Sequence, residues 1–229
     1  MKKSIVKKAS FIRVYFLVVH ILLLVLIAVI WIYHQDIMSI AREEERSWSP
    51  VQKFVEYEVR EAGYFRLTGD EELAGPPTHE QDRAWDNLIR PAYFNASLEE
   101  LDKAGETLEN LTELTSGGYL SSIGVYHELH CLRQLRLYLF KERYYPNLTE
   151  YQEETFHSHL DHCLEALRET IMCNGNTAML SFFWESPHAL QPIPRSNGKS
   201  VCVRWNSVER WGYSRMIATN PDYKRPESN

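Results

Sequence analysis

The chain has 229 residues, 44% of them hydrophobic and 24% charged, which suffices for one domain with a packed core plus accessory segments. It carries 25 basic and 31 acidic residues, and Lys2, Lys3, Lys7, Lys8 and Arg13 all precede the first acid, Asp36. The remainder is therefore acidic, which argues against nucleic acid as a partner.

The first element is a run from Val14 to Tyr33, apolar apart from His20. As a helix it is about 30 Å long, the thickness of a bilayer core. The cations before it predict a cytoplasmic N-terminus, and Trp31 and Tyr33 suit the far interface. The expectation is a single-pass, type II membrane protein of the secretory pathway whose C-terminal domain is lumenal. The alternative is a cleaved signal peptide, for which Ser39-Ile40-Ala41 offers a small-x-small site, although the apolar run is long for that role. His20 reads as a polar residue tolerated inside the span.

Three acceptor sequons follow the span, at Asn95, Asn110 and Asn147, and none precedes it. All four cysteines, Cys131, Cys163, Cys173 and Cys202, also follow it, in a compartment where disulfides persist. Four cysteines allow three complete pairings. The pairing favoured here joins Cys173 to Cys202 and leaves Cys131 near Cys163.

Charged residues from Ile37 to Ala62 predict a juxtamembrane stalk, and Arg66 to His79, with Gly69, Gly75, Pro76 and Pro77, a loop. A short helix over 80–89 is expected, capped by Thr78, with Trp85 and Leu88 facing the core and Pro91 ending it. Ser97 can cap a helix from Leu98 to Leu108, and Gly117-Gly118 breaks the chain. Helical spacing then predicts one helix from Tyr119 to Tyr144 and a second from Thr149 to Met172. The turn at Pro146-Asn147 is short enough to make them antiparallel neighbours. Beyond Gly175 the chain reads as loop, with Pro187, Pro192 and Pro194, until an amphipathic helix over 203–217. The predicted fold class is mainly α, a transmembrane helix followed by a small helical lumenal domain built around an antiparallel helix pair. The segments are a cytoplasmic tail (1–13), an anchor (14–33), a stalk (34–64), the lumenal domain (65–217) and a C-terminal tail (218–229).

The two long helices share a pattern. His127-Glu128-Leu129-His130-Cys131-Leu132 and His159-Leu160-Asp161-His162-Cys163-Leu164 both open H-x-x-H-C-L-x-x-L-R, 32 residues apart. Residues three and four apart share a helix face, so each copy projects two imidazoles and a sulfur together. Four histidines on two antiparallel helices make a candidate metal site. Imidazole suits zinc, copper, iron and nickel alike, and the helical setting is unlike the short loops of a zinc finger. Cys131 and Cys163 fit three roles: thiolate ligand, buried thiol, disulfide partner. Glu128 and Asp161 are candidates to orient imidazoles, and Arg136 and Arg168 to pair with acids such as Asp161, Glu142 or Glu165. His157, on another face, and His79 and His188, in loops, are reserve ligands. The sequence has no nucleophile elbow, phosphate loop or dinucleotide fingerprint.

These residues resemble the fungal UstYa-like mycotoxin-biosynthesis family. The similarity rests on the basic N-terminus and anchor, on Asp82-Arg83-Ala84-Trp85, and on Gly118-Tyr119 leading into Tyr126 and the first motif. It continues through the second motif to Met172-Cys173 and to Cys202 before Trp205, and so covers most of residues 65–212. The resemblance implies an oxidase of secondary metabolism whose constellation is His127, His130, Cys131, His159, His162 and Cys163, with the four histidines as metal ligands. It implies copper rather than zinc, and oxidative cyclisation of a ribosomally synthesised peptide; relatives are linked to hydroxylation or halogenation of peptide or small-molecule intermediates. A paralogue or other pathway enzymes are the implied partners, and a non-enzymatic, membrane-tethered accessory protein is the remaining alternative. The chain departs from the family pattern at Ser200, two before Cys202, where a histidine is expected, and near Asn176, where an acid is expected.

Overall fold

The computed structural model describes residues 15–33, 47–61, 72–196 and 198–225. It divides into two units, Met1–Trp48 and Ser49–Asn229.

In the first unit, helix α1 (Tyr15–Tyr33) has 19 residues and a mean hydropathy of 2.9. That is long and apolar enough to cross a membrane. Inside it His20 donates from Nδ1 to the Phe16 carbonyl at 2.7 Å, so the ring meets its polar demand within its own helix. The Ser39-Ile40-Ala41 site lies outside the described residues.

The second unit is mainly helical, as expected. Helices α2 (His79–Ile89), α3 (Leu98–Ala104) and α6 (Glu150–Asn174) each start on a reciprocal capping box, Thr78 with Gln81, Ser97 with Glu100 and Thr149 with Gln152. Each box satisfies backbone donors that the first turn leaves unpaired. Helix α3 stops at Gly105, whose φ of 75° lies in the left-handed region, and not at Leu108. Between these lie α4 (Gly124–Leu139) and the one-turn α5 (Lys141–Tyr144); α7 (Trp205–Arg215) closes the chain of helices.

The strands were not visible in the sequence pattern. Among the described residues, three two-stranded antiparallel sheets pair β1 (Tyr57–Glu61) with β6 (Lys199–Val203), β2 (Phe94–Ala96) with β3 (Tyr119–Ser121), and β4 (Ser181–Phe183) with β5 (Ile193–Arg195). Tyr119 and Val203, read as helical, lie in strands, and the expected helix 119–144 breaks at Phe140 (φ −115°, ψ 38°).

Two segments expected to be peripheral join the domain. Val51 is a core residue, Glu56 donates its N–H to Ser207 Oγ at 3.1 Å and β1 pairs with β6, so the described residues 49–61 are not a free stalk. At the other end Tyr223 bridges to Leu114, and Lys224 donates its N–H to the Glu113 carbonyl at 2.8 Å, so this part of the expected tail is docked. The remaining stalk residues, 34–46 and 62–64, and loop residues 66–71 lie outside the described residues.

The core gathers Ala92, Phe94, Ala96, Leu101, Tyr126, Val208 and Trp211 around Val51. Phe94 and Trp211 meet edge to face at 5.1 Å, and Tyr126 and Trp205 at 5.7 Å. Gly212 permits this packing, because a Cβ there would stand 2.8 Å from Tyr126 Oη and 3.0 Å from Pro91 Cβ. Tyr126, 1% exposed, plants the start of α4 in the core one residue before the first motif.

Candidate metal centre on the α4–α6 pair

Helices α4 and α6 pack antiparallel. His127 faces His162 with ring centres 5.5 Å apart, and His130 faces His159 at 5.7 Å. The two H-x-x-H copies therefore meet in opposite order, as the short connection requires. His130 and His159 are half-buried and His127 and His162 exposed, so the four imidazoles form an open-faced strip.

Under this strip lie the two cysteines. Cys131 and Cys163 are 0% exposed, and their side chains hydrogen-bond to each other. The Cys131 Sγ also stands 3.9 Å from His127 Nε2. Burial pushes the Cys163 thiol up to about 12, with the bond to Cys131 and the neighbouring sulfur's charge adding to it. At neutral pH it is a protonated thiol, the form least suited to ligate or attack. All four cysteines are free thiols, so the expected link between Cys173 and Cys202 is not made; Cys173 is exposed and Cys202 half-buried.

The His130 imidazole is held below its ordinary value near 6.5, first by burial and then by repulsion from His159, His127 and Arg133. It is thereby biased to the neutral form, the one that binds metals.

Several neighbours differ from expectation. Glu128 accepts from Thr170 Oγ1 at 3.0 Å and so ties α4 to α6 instead of orienting an imidazole. Asp161 is exposed, with no hydrogen bond to a histidine among the described residues. Arg136 reaches the Gly75 carbonyl (3.0 Å) and Gln81 Oε1 (3.2 Å), whereas Arg168 pairs with Glu165, as expected. His157 bonds Tyr138 Oη at 2.7 Å, and His79 and His188 are exposed; none belongs to the strip. No local pattern marks Arg133, whose 2.5 Å ion pair with Asp86 fastens α2 to α4, or Thr170. Both contacts join residues more than 40 positions apart, beyond any local pattern.

In ring spacing, the donor set suits a metal ion pair by pair. Two imidazoles sharing one ion at about 2.0 Å per nitrogen stand with ring centres about 5 to 6 Å apart, and each cross-helix pair meets that condition. Among the described residues no group of three or more His, Cys, Asp or Glu side chains converges as an ion cage, so the strip is unlike a closed structural zinc site.

Fold and site define a helical domain that displays paired histidines across two helices, in a chain that also has a helix able to span a membrane. The chain belongs to the family described as Mycotoxin biosynthesis protein UstYa, which it matches over residues 3–215. It is 25% identical over 150 residues to the UstYa family oxidase phomYc of Diaporthe leptostromiformis, covering 62% of this chain and 59% of that protein. It is 24% identical over 181 residues to the UstYa family oxidase aprY of Aspergillus flavus, with 72% and 54% covered. The transacylase cctO of Talaromyces islandicus is also similar, at 24% over 193 residues, with 75% and 61% covered. The chain thus spans roughly half to three-fifths of the length of these relatives. No solved structure matches it.

Proposed function

We propose that this protein is a membrane-anchored UstYa family oxidase of a fungal secondary-metabolite pathway, binding copper through His127, His130, His159 and His162. The observation that carries this reading is the two pairs of facing imidazoles, His127 with His162 and His130 with His159, on an open face of α4 and α6. The oxidase names of the relatives support the reaction class. Copper, when bound, supplies one-electron redox chemistry with dioxygen.

The chain's own residues supply the rest. Burial biases His130 to the neutral form for ligation, and the buried Cys131 and Cys163 fill the seam beneath, Cys163 as a protonated thiol. The Glu128–Thr170 bond holds the register in which the pairs face each other. An exposed strip admits a bulky substrate, and the reaction proposed is oxidative cyclisation of a ribosomally synthesised peptide. The α1 helix with basic residues before it supports a type II orientation with the domain in the lumen.

The test is turnover by the purified full chain with candidate precursor peptide, copper and air. The expected result is a product two hydrogens lighter per ring closed, lost on His130→Ala. Unchanged product from that variant would overturn the assignment. The name of cctO favours a second reading, acyl transfer at the same face, which predicts product formation without oxygen uptake.

A further inference from the structure

The three sequons stand in very different surroundings. Asn95 lies in the middle of β2 opposite Leu120, between Phe94 (4% exposed) and Ala96 (2% exposed). Its Nδ2, the atom that would carry a sugar, donates to the Gly117 carbonyl at 2.7 Å. Across from it is Gly118, at a φ of 80°, where even a Cβ would fall 1.8 Å from Asn95 Oδ1. The amide is half-buried, and the Gly117-Gly118 backbone lies directly against it, leaving little room for a sugar ring.

Asn110 and Asn147 are exposed. Asn110 has a φ of 54°, in the left-handed region that asparagine tolerates in tight surface turns. Asn147 sits in the connection between α5 and α6, three residues before α6 begins. His159 lies about 13 Å further along that helix.

We propose that the folded protein carries N-linked glycans at Asn110 and Asn147 and none at Asn95. The inference rests on the lumenal placement proposed above. Transfer forms a bond from the asparagine Nδ2 to the anomeric carbon of a lipid-linked oligosaccharide diphosphate; the amide gives up one proton and the lipid diphosphate leaves. A chain modified at Asn95 cannot close Gly117-Gly118 over β2, so the folded population is free of sugar there. The two acceptors that remain project from the loop before β3 and from the closed end of the α4–α6 hairpin.

The full chain, expressed in a fungal host and recovered folded from its membranes, is deglycosylated enzymatically in ¹⁸O-water and mapped by mass spectrometry. The expected result is ¹⁸O-labelled aspartate at positions 110 and 147, with unlabelled Asn95. In parallel, Asn110→Gln and Asn147→Gln each remove one glycan step on a gel, and Asn95→Gln removes none. Label at position 95 in folded protein would overturn the selection. Absence of label at all three sites overturns the proposal too, and protease digestion of sealed vesicles then locates the fault. A protected domain leaves the lumenal placement standing, and a digested one removes it.

Discussion

Cys131 and Cys163 carry the same side chain as Cys173 but are buried where Cys173 is exposed, so packing shields them from reagents. Alkylation of the native protein at pH 8 is expected to modify Cys173 and to spare Cys131 and Cys163 until denaturant is added. Rapid labelling of either buried thiol in native protein would contradict the packing. The raised Cys163 value also sets a sign: its contribution to stability is complete below the ordinary thiol value near 9 and is lost as pH rises from there towards about 12. His130 acts in the opposite direction. Its depressed value contributes stability above about 6.5 that is lost as pH falls below it, so the metal-free protein should melt at a lower temperature at pH 5 than at pH 7. His130→Gln should flatten that slope, and an unchanged slope would remove His130 as its source. Gly212→Ala tests the core, where the added methyl meets Tyr126 and Pro91; a loss of about 1 to 3 kcal/mol is expected in denaturant titration.

The N-terminal ends of α2 and α3 were the most legible features. Thr78 was read as a cap from its place before an apolar-periodic run, and Ser97 was read the same way; both are completed by a glutamine or glutamate three residues on. The antiparallel α4–α6 pair was legible from two long periodic stretches and a short connection. The strands were not, because each is three to five residues long and its partner is distant, as with β1 and β6, so no local period marks it. Break points inside helices were equally hidden, since nothing in Phe140 itself forbids helix. At this scale Thr149→Ala, which removes the cap of α6, should cost about 1 kcal/mol in stability while the histidine pairs persist. Thr170→Val, which deletes the Glu128 tie, should weaken metal affinity with less effect on melting. Equal loss in both, or neither, would mean the tie does not hold the register.

Over the whole molecule, the candidate site was more legible than the fold around it. The duplicated H-x-x-H-C-L pattern named four histidines that the structure brings together in pairs, and the family resemblance drawn from the same residues holds across residues 3–215. What the pattern could not supply was the non-local fastening: Arg133 to Asp86, Glu128 to Thr170, and the docking of residues around Val51 and Tyr223 onto the domain. These depend on three-dimensional proximity between segments without a shared period. The central claim is that the cross-helix histidine pairs hold copper. Its most direct test is the metal content of the full chain, purified in detergent after copper loading, beside alanine variants of His127, His130, His159 and His162 whose folding is checked by circular dichroism. The account predicts copper bound in defined stoichiometry to the wild type and reduced in each folded variant. Zinc in its place, no metal at all, or copper retained in all four variants would contradict it.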